Sequence, residues 1–377
     1  MPSADVIVIG GGLHGCSAAL HLARAGRSVA VLEKDHVARH ASGVNAGGVR
    51  RLGRHLAEVP LSVASMEIWH RIEELVDDNC GFESYGQVKV AESDADLEKL
   101  RERAAQVRSI GFEHEELIDA RELRALLPAV APQSVGGLIS RRDGAALPFR
   151  TTLAFKRKGE QLKVRFHEGT RVKGIQRSAG IWKVETDRGA FEGPAIVNAA
   201  GAWGGQIAAL LGEPVPIEAA AYMLMITAPV APFVKPVVGA TSRSLSFKQF
   251  SNGTVLIGGG HKGRAWPDTN RTALDFAKLA LNAQIAADIF PRMRHATIVR
   301  AWAGIEGRMS DDIPVIGPSS TSEGVVHSFG YSAHGFQLGP VCGLIVADLV
   351  TTGSTRFDLE PFRIRRFSDN GGLQQVS

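Results

Sequence analysis

Val6-Ile7-Val8-Ile9-Gly10-Gly11-Gly12-Leu13-His14-Gly15, at the head of the chain, is the stretch whose reading decides the fold. Its first four residues are a short, β-branched apolar run of the kind a buried parallel strand needs. The glycines that stop it fit G-x-G-x-x-G, with Leu13 and His14 in the variable places, and 18–25 then carries helical spacing closed by Gly26. Ser28-Val29-Ala30-Val31-Leu32 reads as a second strand with Glu33 at its tip, about twenty residues beyond the glycines. Strand, turn, helix, strand and terminal acid in register predict a dinucleotide-binding unit. Gly10 makes the tight turn, Gly12 lets the backbone approach a pyrophosphate, and Gly15 lets the helix pack on the strand. The helix N-terminus offers free N–H groups and the positive end of its dipole, and Glu33 is placed to accept from a ribose 2′-OH. An acid there disfavours a 2′-phosphate.

Outward from this unit, 377 residues suit two domains better than one core. With 44% hydrophobic and 22% charged residues the composition is that of an ordinary soluble globular protein. The net charge of +4 is mildly basic, but Lys and Arg are scattered among acids, which speaks for a solvated mixed surface and against a nucleic-acid face. Three cysteines, Cys16, Cys80 and Cys342, with no C-x-x-C, exclude a disulfide framework, a zinc site or a cluster, and no metal site is expected. The start reads as neither signal peptide nor membrane span, so the expected compartment is the cytoplasm.

After Glu33 and Lys34 comes a loop holding Ser42, Asn45, Ala46, Gly47 and Gly48 followed by Arg50 and Arg51, a composition that suits backbone lying close to a ligand and equally a surface loop. Val59 to Val76 has helical pattern, Gly86 to Ala91 reads as a strand, and 93–110 as a capped charged helix. The block 82–141 looks inserted. Ala195 to Trp203 is an apolar strand ending in small residues, the pattern of a second strand tip facing a cofactor. Val215 to Gly260 switches to short strands between Pro and Gly, consistent with a mostly antiparallel sheet. Thr272 to Ile289 reads as a helix, Ile298 to Trp302 as a strand, and the glycine-bearing turn 330–335 precedes an apolar helix from Phe336 to Val350.

Four separated stretches, 8–15 with Glu33, 42–51, 197–203, and 311–317 with 330–339, resemble the flavin-dependent amine oxidoreductases of the D-amino-acid oxidase superfamily. The branch is that of sarcosine oxidase, glycine oxidase and the flavin subunits of proline, hydroxyproline and opine dehydrogenases. Ser332-Ala333-His334-Gly335-Phe336-Gln337-Leu338-Gly339 is the most specific part. The resemblance implies an α/β fold: a Rossmann-type FAD-binding domain (1–81, 142–214 and 304–365), a substrate domain on a mostly antiparallel sheet (82–141 and 215–303), and a flexible tail (366–377). It implies FAD on Gly10, Gly12, Leu13, His14, Gly15, Glu33 and Lys34, with Val172 at the adenine and Ala199, Gly201 and Trp203 beside the pyrophosphate and ribityl chain. The ring system is expected against Ser42, Asn45, Ala46, Gly47 and Gly48, Gly304, and the turn at Gly330, His334, Gly335, Phe336 and Gln337.

A helix starting near Gly335 aims its N–H groups where a reduced flavin gathers negative charge, which favours hydride acceptance. His334 reads either as a further hydrogen-bonding group there or as a helix cap. Departures from the family are informative. Ser310 to Ile313 lacks the cysteine that some sarcosine oxidases use to attach flavin, and Pro148-Phe149-Arg150 lacks a flavin-bearing histidine, so non-covalent FAD is expected. The carboxylate-binding lysine of sarcosine oxidases appears as Gln337, and their oxygen-activating lysine falls near Leu256 or Ile257.

The reaction expected is oxidation of the C–N bond of an amino acid or secondary amine by hydride transfer to flavin N5, giving an imine that hydrolyses. The resemblance puts Arg51 on the substrate carboxylate, with Arg50 the neighbouring candidate. His261 reads as an amine-holding residue or a surface histidine, and Tyr331 and Tyr222 as contributors. The alternative is a catalytic flavin subunit passing electrons to partner subunits; homo-oligomers are equally compatible.

Overall fold

In the computed structural model, which describes residues 2–369, the head of the chain folds as β1 (Val6–Ile9), α1 (Leu13–Arg24) and β2 (Val29–Glu33). Every residue of both strands is buried, the outcome for continuous apolar runs covered on two faces. β1 pairs in parallel with β2 and with the strand Ala195–Asn198. The sheet order is Val315–Pro318, Val325–Phe329, Ala195–Asn198, β1, β2, Arg165–Glu168, and Val315–Pro318 alone runs antiparallel to its neighbour. Under it lies α2 (Gly335–Thr352), whose Leu338, Val341, Cys342, Ile345 and Val346 are buried. Two glycines bring α2 against α1: a Cβ on Gly339 would stand 2.5 Å from Leu13 Cδ2, and one on Gly343 2.1 Å from Ser17 Oγ. By length and composition α2 passes as a membrane span, a segment the sequence did not suggest; its buried packing is that of a core helix.

The second sheet holds β3 (Gln87–Ala91), β4 (Ile217–Thr227), β5 (Val237–Ala240), β6 (Ser246–Gln249) and β7 (Ile298–Met309), with five other strands. Its side chains alternate by the period of two that a pleated strand imposes. On one face Val88, Val90, Met223, Met225, Val238, Phe247 and Ile257 form a core with Ile285 and Ile289 of the helix Phe276–Ile289 and with Phe290 just after it. On the other, Gln87, Lys89, Tyr222, Leu224, Gly239 and Ser246 look into a cavity. The roof of the site is thus the second face of a strand pattern whose first face makes the core.

Several expectations change in detail. β3 and β5 pair in parallel within the otherwise antiparallel sheet. The strand expected to stop at Trp302 continues to Met309, because it pairs with β4 along its length. The helical pattern from Val59 to Val76 is two helices, Val59–Trp69 and Ile72–Val76. Thr272 belongs to a short strand, and the next helix starts after Asp275, whose carboxylate accepts from Lys278 N. Of the expected tail, Arg366–Asp369 is helical and Arg366 binds Asp311 at 2.7 Å; 370–377 lie outside the described residues.

Candidate active site

A cavity of about 960 Å³ runs between the two sheets, from Glu33 and Val172 at one end to His334, Arg50 and Lys89 at the other. At the first end the glycines are sterically required. Gly10 has φ +111°, and a Cβ there would lie 2.4 Å from Ala199 O; one on Gly15 would lie 1.9 Å from Gly10 O. Glu33 is buried, with Oε2 accepting from Gly11 N at 2.7 Å and Oε1 from Asp35 N at 2.8 Å. Burial pushes its carboxyl up, against the pull of those two bonds, and lone pairs remain for a further donor. Lys34 Nζ binds Asp35, His40 and Asn270 and sits 3.9 Å above the Trp203 ring. Ala199, Gly201 and Trp203 line the same wall.

The middle of the cavity is bounded by the 42–48 loop. Ser42 Oγ accepts from Leu13 N at 2.9 Å, Asn45 Oδ1 accepts from Gly47 N at 2.7 Å, and Gly304 is so close that its Cβ would stand 2.3 Å from Val44 Cγ2. His14 stacks on Tyr331, with centroids 3.6 Å apart and planes 15° apart, and its Nε2 lies 3.0 Å from Gly335 O. Burial drives the His14 pKa down to about 3, so the ring is neutral. This stack ties the first turn of α1 to the turn that opens α2, and two helix N-termini meet on one cavity. Such a convergence favours negative charge.

Gly330, Gly335, Phe336 and His334 line the cavity, and Gln337 does not. Its side chain turns back into the protein, donating to Ser62 O at 2.8 Å and accepting from Arg54 Nη2 at 3.3 Å, and its carbonyl accepts from Ser65 and Trp69. Gln337 is a packing residue. His334 makes no side-chain cap to α2; its Nδ1 lies 3.4 Å from Glu58 Oε2, a contact too poorly aligned for a hydrogen bond. The Tyr331 hydroxyl also points inward, 2.7 Å from Ser328 Oγ, so its ring and not its hydroxyl faces the site.

Arg51 is the main correction. Its Nε lies 2.9 Å from Asp143 Oδ1 and its Nη2 3.0 Å from Ser140 Oγ, and Asp143 also accepts from the N–H of Arg51 and Leu52. It is buried and absent from the cavity wall. Arg50, one residue earlier, points the other way, into the cavity. It donates to Leu52 O and has no carboxylate partner among the described residues. Lys89 joins it: a Cβ on Gly53 would be 3.2 Å from Lys89 Nζ and 3.9 Å from Arg50 Nη1. Burial and then Arg50 hold the Lys89 ammonium pKa below its ordinary value. His261 is likewise off the wall, where Gly259, Gly260 and Lys262 stand.

Sequence reasoning missed three cavity residues, Lys89, Arg54 and Glu306, and two buried ones, Glu58 and Lys248. Arg54 donates to His334 O at 2.8 Å and Arg50 O at 3.0 Å, leaving guanidinium N–H groups over. Glu58 is fully buried with neither carboxylate oxygen hydrogen-bonded; burial would raise its pKa, but His334, Arg54 and Arg50 hold it down. Glu306, on β7, lines the wall without a side-chain partner among the described residues. No lysine occurs on the strand Val255–Gly258, but Lys248 opposite Leu256 is buried, 3.1 Å from where a Gly47 Cβ would be, and burial brings its pKa down to about 8. No periodicity marks these positions.

A family profile described as FAD dependent oxidoreductase (DAO) matches residues 5–349. Sarcosine oxidase subunit beta of Rhizobium meliloti is 26% identical, covering 97% of this chain and 89% of that protein. Glycine oxidase of Geobacillus kaustophilus is 26% identical over 98% of this chain and 99% of its own length. The crystal structure of L-proline dehydrogenase from P. horikoshii superposes with a TM-score of 0.91 at 26% identity, covering 98% and 99% of the two chains.

Proposed function

The chain belongs to the DAO family of FAD-dependent oxidoreductases, and from that premise we propose that it oxidises the C–N bond of an amino acid or secondary amine carrying a carboxylate. The observation that carries this reading is Arg50: a guanidinium on the cavity wall with no acid paired to it, while neighbouring Arg51 and Arg103 are committed to Asp143 and Glu115. A cation left open beside a second one, Lys89, is a place for a substrate carboxylate.

The residues fit FAD. The Gly10–Gly12 turn and the α1 N-terminus suit its pyrophosphate, Glu33 and Val172 its adenosine end, and the 42–48 loop with the α2 N-terminus its ring system. No cysteine is on the cavity wall among the described residues, which favours non-covalent binding. When bound, FAD supplies the hydride acceptor, and the imine product is hydrolysed by water. The chain's part is geometric and electrostatic: Arg50 and Arg54 hold the carboxylate, which fixes the carbon that loses hydride.

The test is the anaerobic visible spectrum of the FAD-loaded protein before and after adding D-amino acids, N-methyl amino acids, prolines and opines. Bleaching by one class supports the reading, and failure of every class opposes it. A second reading, a catalytic subunit that hands electrons to partner chains, is favoured by the likeness to the Rhizobium relative, which is named as a subunit. Copurification of further chains with the natively expressed protein tests it.

A further inference from the structure

β7 carries an acid, Glu306, at the end of the cavity where Arg50, Arg54 and Lys89 also stand. Opposite residues of β4 and β7 share a face, so Trp302, Gly304, Glu306 and Arg308 project with Leu224, Tyr222, Ala220 and Glu218. This face is fixed against the cofactor-facing segments at two points. Trp302 Nε1 donates to Val44 O at 2.9 Å, and Gly304 has no room for a side chain beside Val44. One step further along, Glu306 stands beside the turn before α2, whose Ser332 N–H donates to Gly307 O at 3.0 Å, and it shares the cavity wall with Ala333 and His334 of that turn. His334 gives its carbonyl to Arg54. The Glu306 carboxylate and the Arg54 guanidinium therefore stand at one turn, on the wall of one cavity.

The groups around Glu306 leave it unpaired. On its own strand Arg308 is bound to Asp312 at 2.7 Å and faces Glu218 at 3.6 Å. From β4 come Ala220 and Tyr222, and Glu218 is engaged by Lys262 at 3.2 Å. From the turn come Tyr331, whose hydroxyl is committed to Ser328, and His334, whose ring lies by Glu58. No cation stands within ion-pair distance of Glu306 among the described residues. A half-buried carboxylate on the cavity wall with no cation of the chain beside it is open to a cationic ligand, and an ammonium is the partner that its position beside Arg54 calls for.

Resting on the amine-oxidation reading above, we infer that Glu306 receives the ammonium of the substrate and takes one proton from it before the C–H bond breaks. In the step a nitrogen–hydrogen bond breaks, its electron pair stays on nitrogen, and the proton forms an O–H bond on Glu306; nothing is oxidised or reduced. The freed lone pair is what allows hydride to leave the adjacent carbon, since an ammonium has none to give. Burial lifts the Glu306 carboxyl to about 7, against the pull of the nearby Ala333 N–H, which makes it a stronger base than an ordinary carboxylate. It is ionised above that pH and idle below it.

The test uses the full-length protein loaded with FAD and the amine that bleaches it. For Glu306→Gln the rate of anaerobic bleaching at pH 7 should fall about 100-fold and climb back toward wild type as pH rises past the amine's own pKa. Glu306→Asp should keep a titration near neutrality. Binding of an amine-free carboxylate, tetrahydrofuran-2-carboxylate, followed by the shift it causes in the bound-FAD spectrum, should be unchanged in both variants. A wild-type rate profile in Glu306→Gln overturns the assignment alone, as does equal weakening of the amine-free carboxylate. A wild-type protein that holds FAD and is bleached by no amine overturns the proposed function and this assignment with it.

Discussion

Arg51 and Asp143 close on each other at 2.9 Å in the protein interior, while Arg50, one residue before, faces the cavity without an acid. The two arginines therefore answer differently to substitution. Arg51→Met strands a buried carboxylate and should cost about 3–5 kcal/mol of stability, read as a lower urea midpoint. Arg50→Met breaks no ion pair and should stay within about 1 kcal/mol of wild type, while KM for the bleaching amine rises more than about tenfold.

Gly15→Ala sets a Cβ against Gly10 O at 1.9 Å. The turn and helix must separate, and a loss of about 1–3 kcal/mol is expected together with loss of bound FAD on gel filtration. A Gly15→Ala protein that keeps stoichiometric FAD would show the cradle to be more yielding than its contacts imply.

Gln337→Met removes the acceptor and donor that join Arg54 and Ser62. Stability should drop by about 1–3 kcal/mol from the unpaired groups left behind. The amine KM should change far less than in Arg50→Met, since Gln337 is off the cavity wall.

Glu213 lies 3.0 Å from the buried His327 ring. Burial would raise its pKa, but bonds from His327, Ser319 and Ser320 outweigh that and take it from 4.5 to about 2. A depressed folded-state pKa contributes stability above the unfolded value that is lost as pH falls through the folded one. The melting temperature should thus decline between about pH 4.5 and pH 2, and Glu213→Gln should flatten part of that decline.

What the sequence made legible is what backbone chemistry dictates locally. The run 6–15 specifies strand, turn and helix because only glycine fits at Gly10 and Gly15. The direction of single side chains was harder to read. Just before Arg50 the chain has two-residue strand geometry at Gly48–Val49 and then turns, so one residue of register decides which guanidinium faces the cavity. Gln337 lies two residues into α2, where the helical phase has already rotated it off the site. His261 alternates with Gly260 and Lys262, which stand on the wall. Glu306 was hidden because the strand holding it extends past the apolar stretch that announced it.

The central claim, amine oxidation on FAD, is tested most directly by the anaerobic spectrum of the FAD-loaded protein titrated with the amino-acid and amine panel. Full bleaching by one carboxylate-bearing amine class is expected, strongly weakened in Arg50→Met. An oxidised flavin spectrum that no member of the panel changes would contradict it.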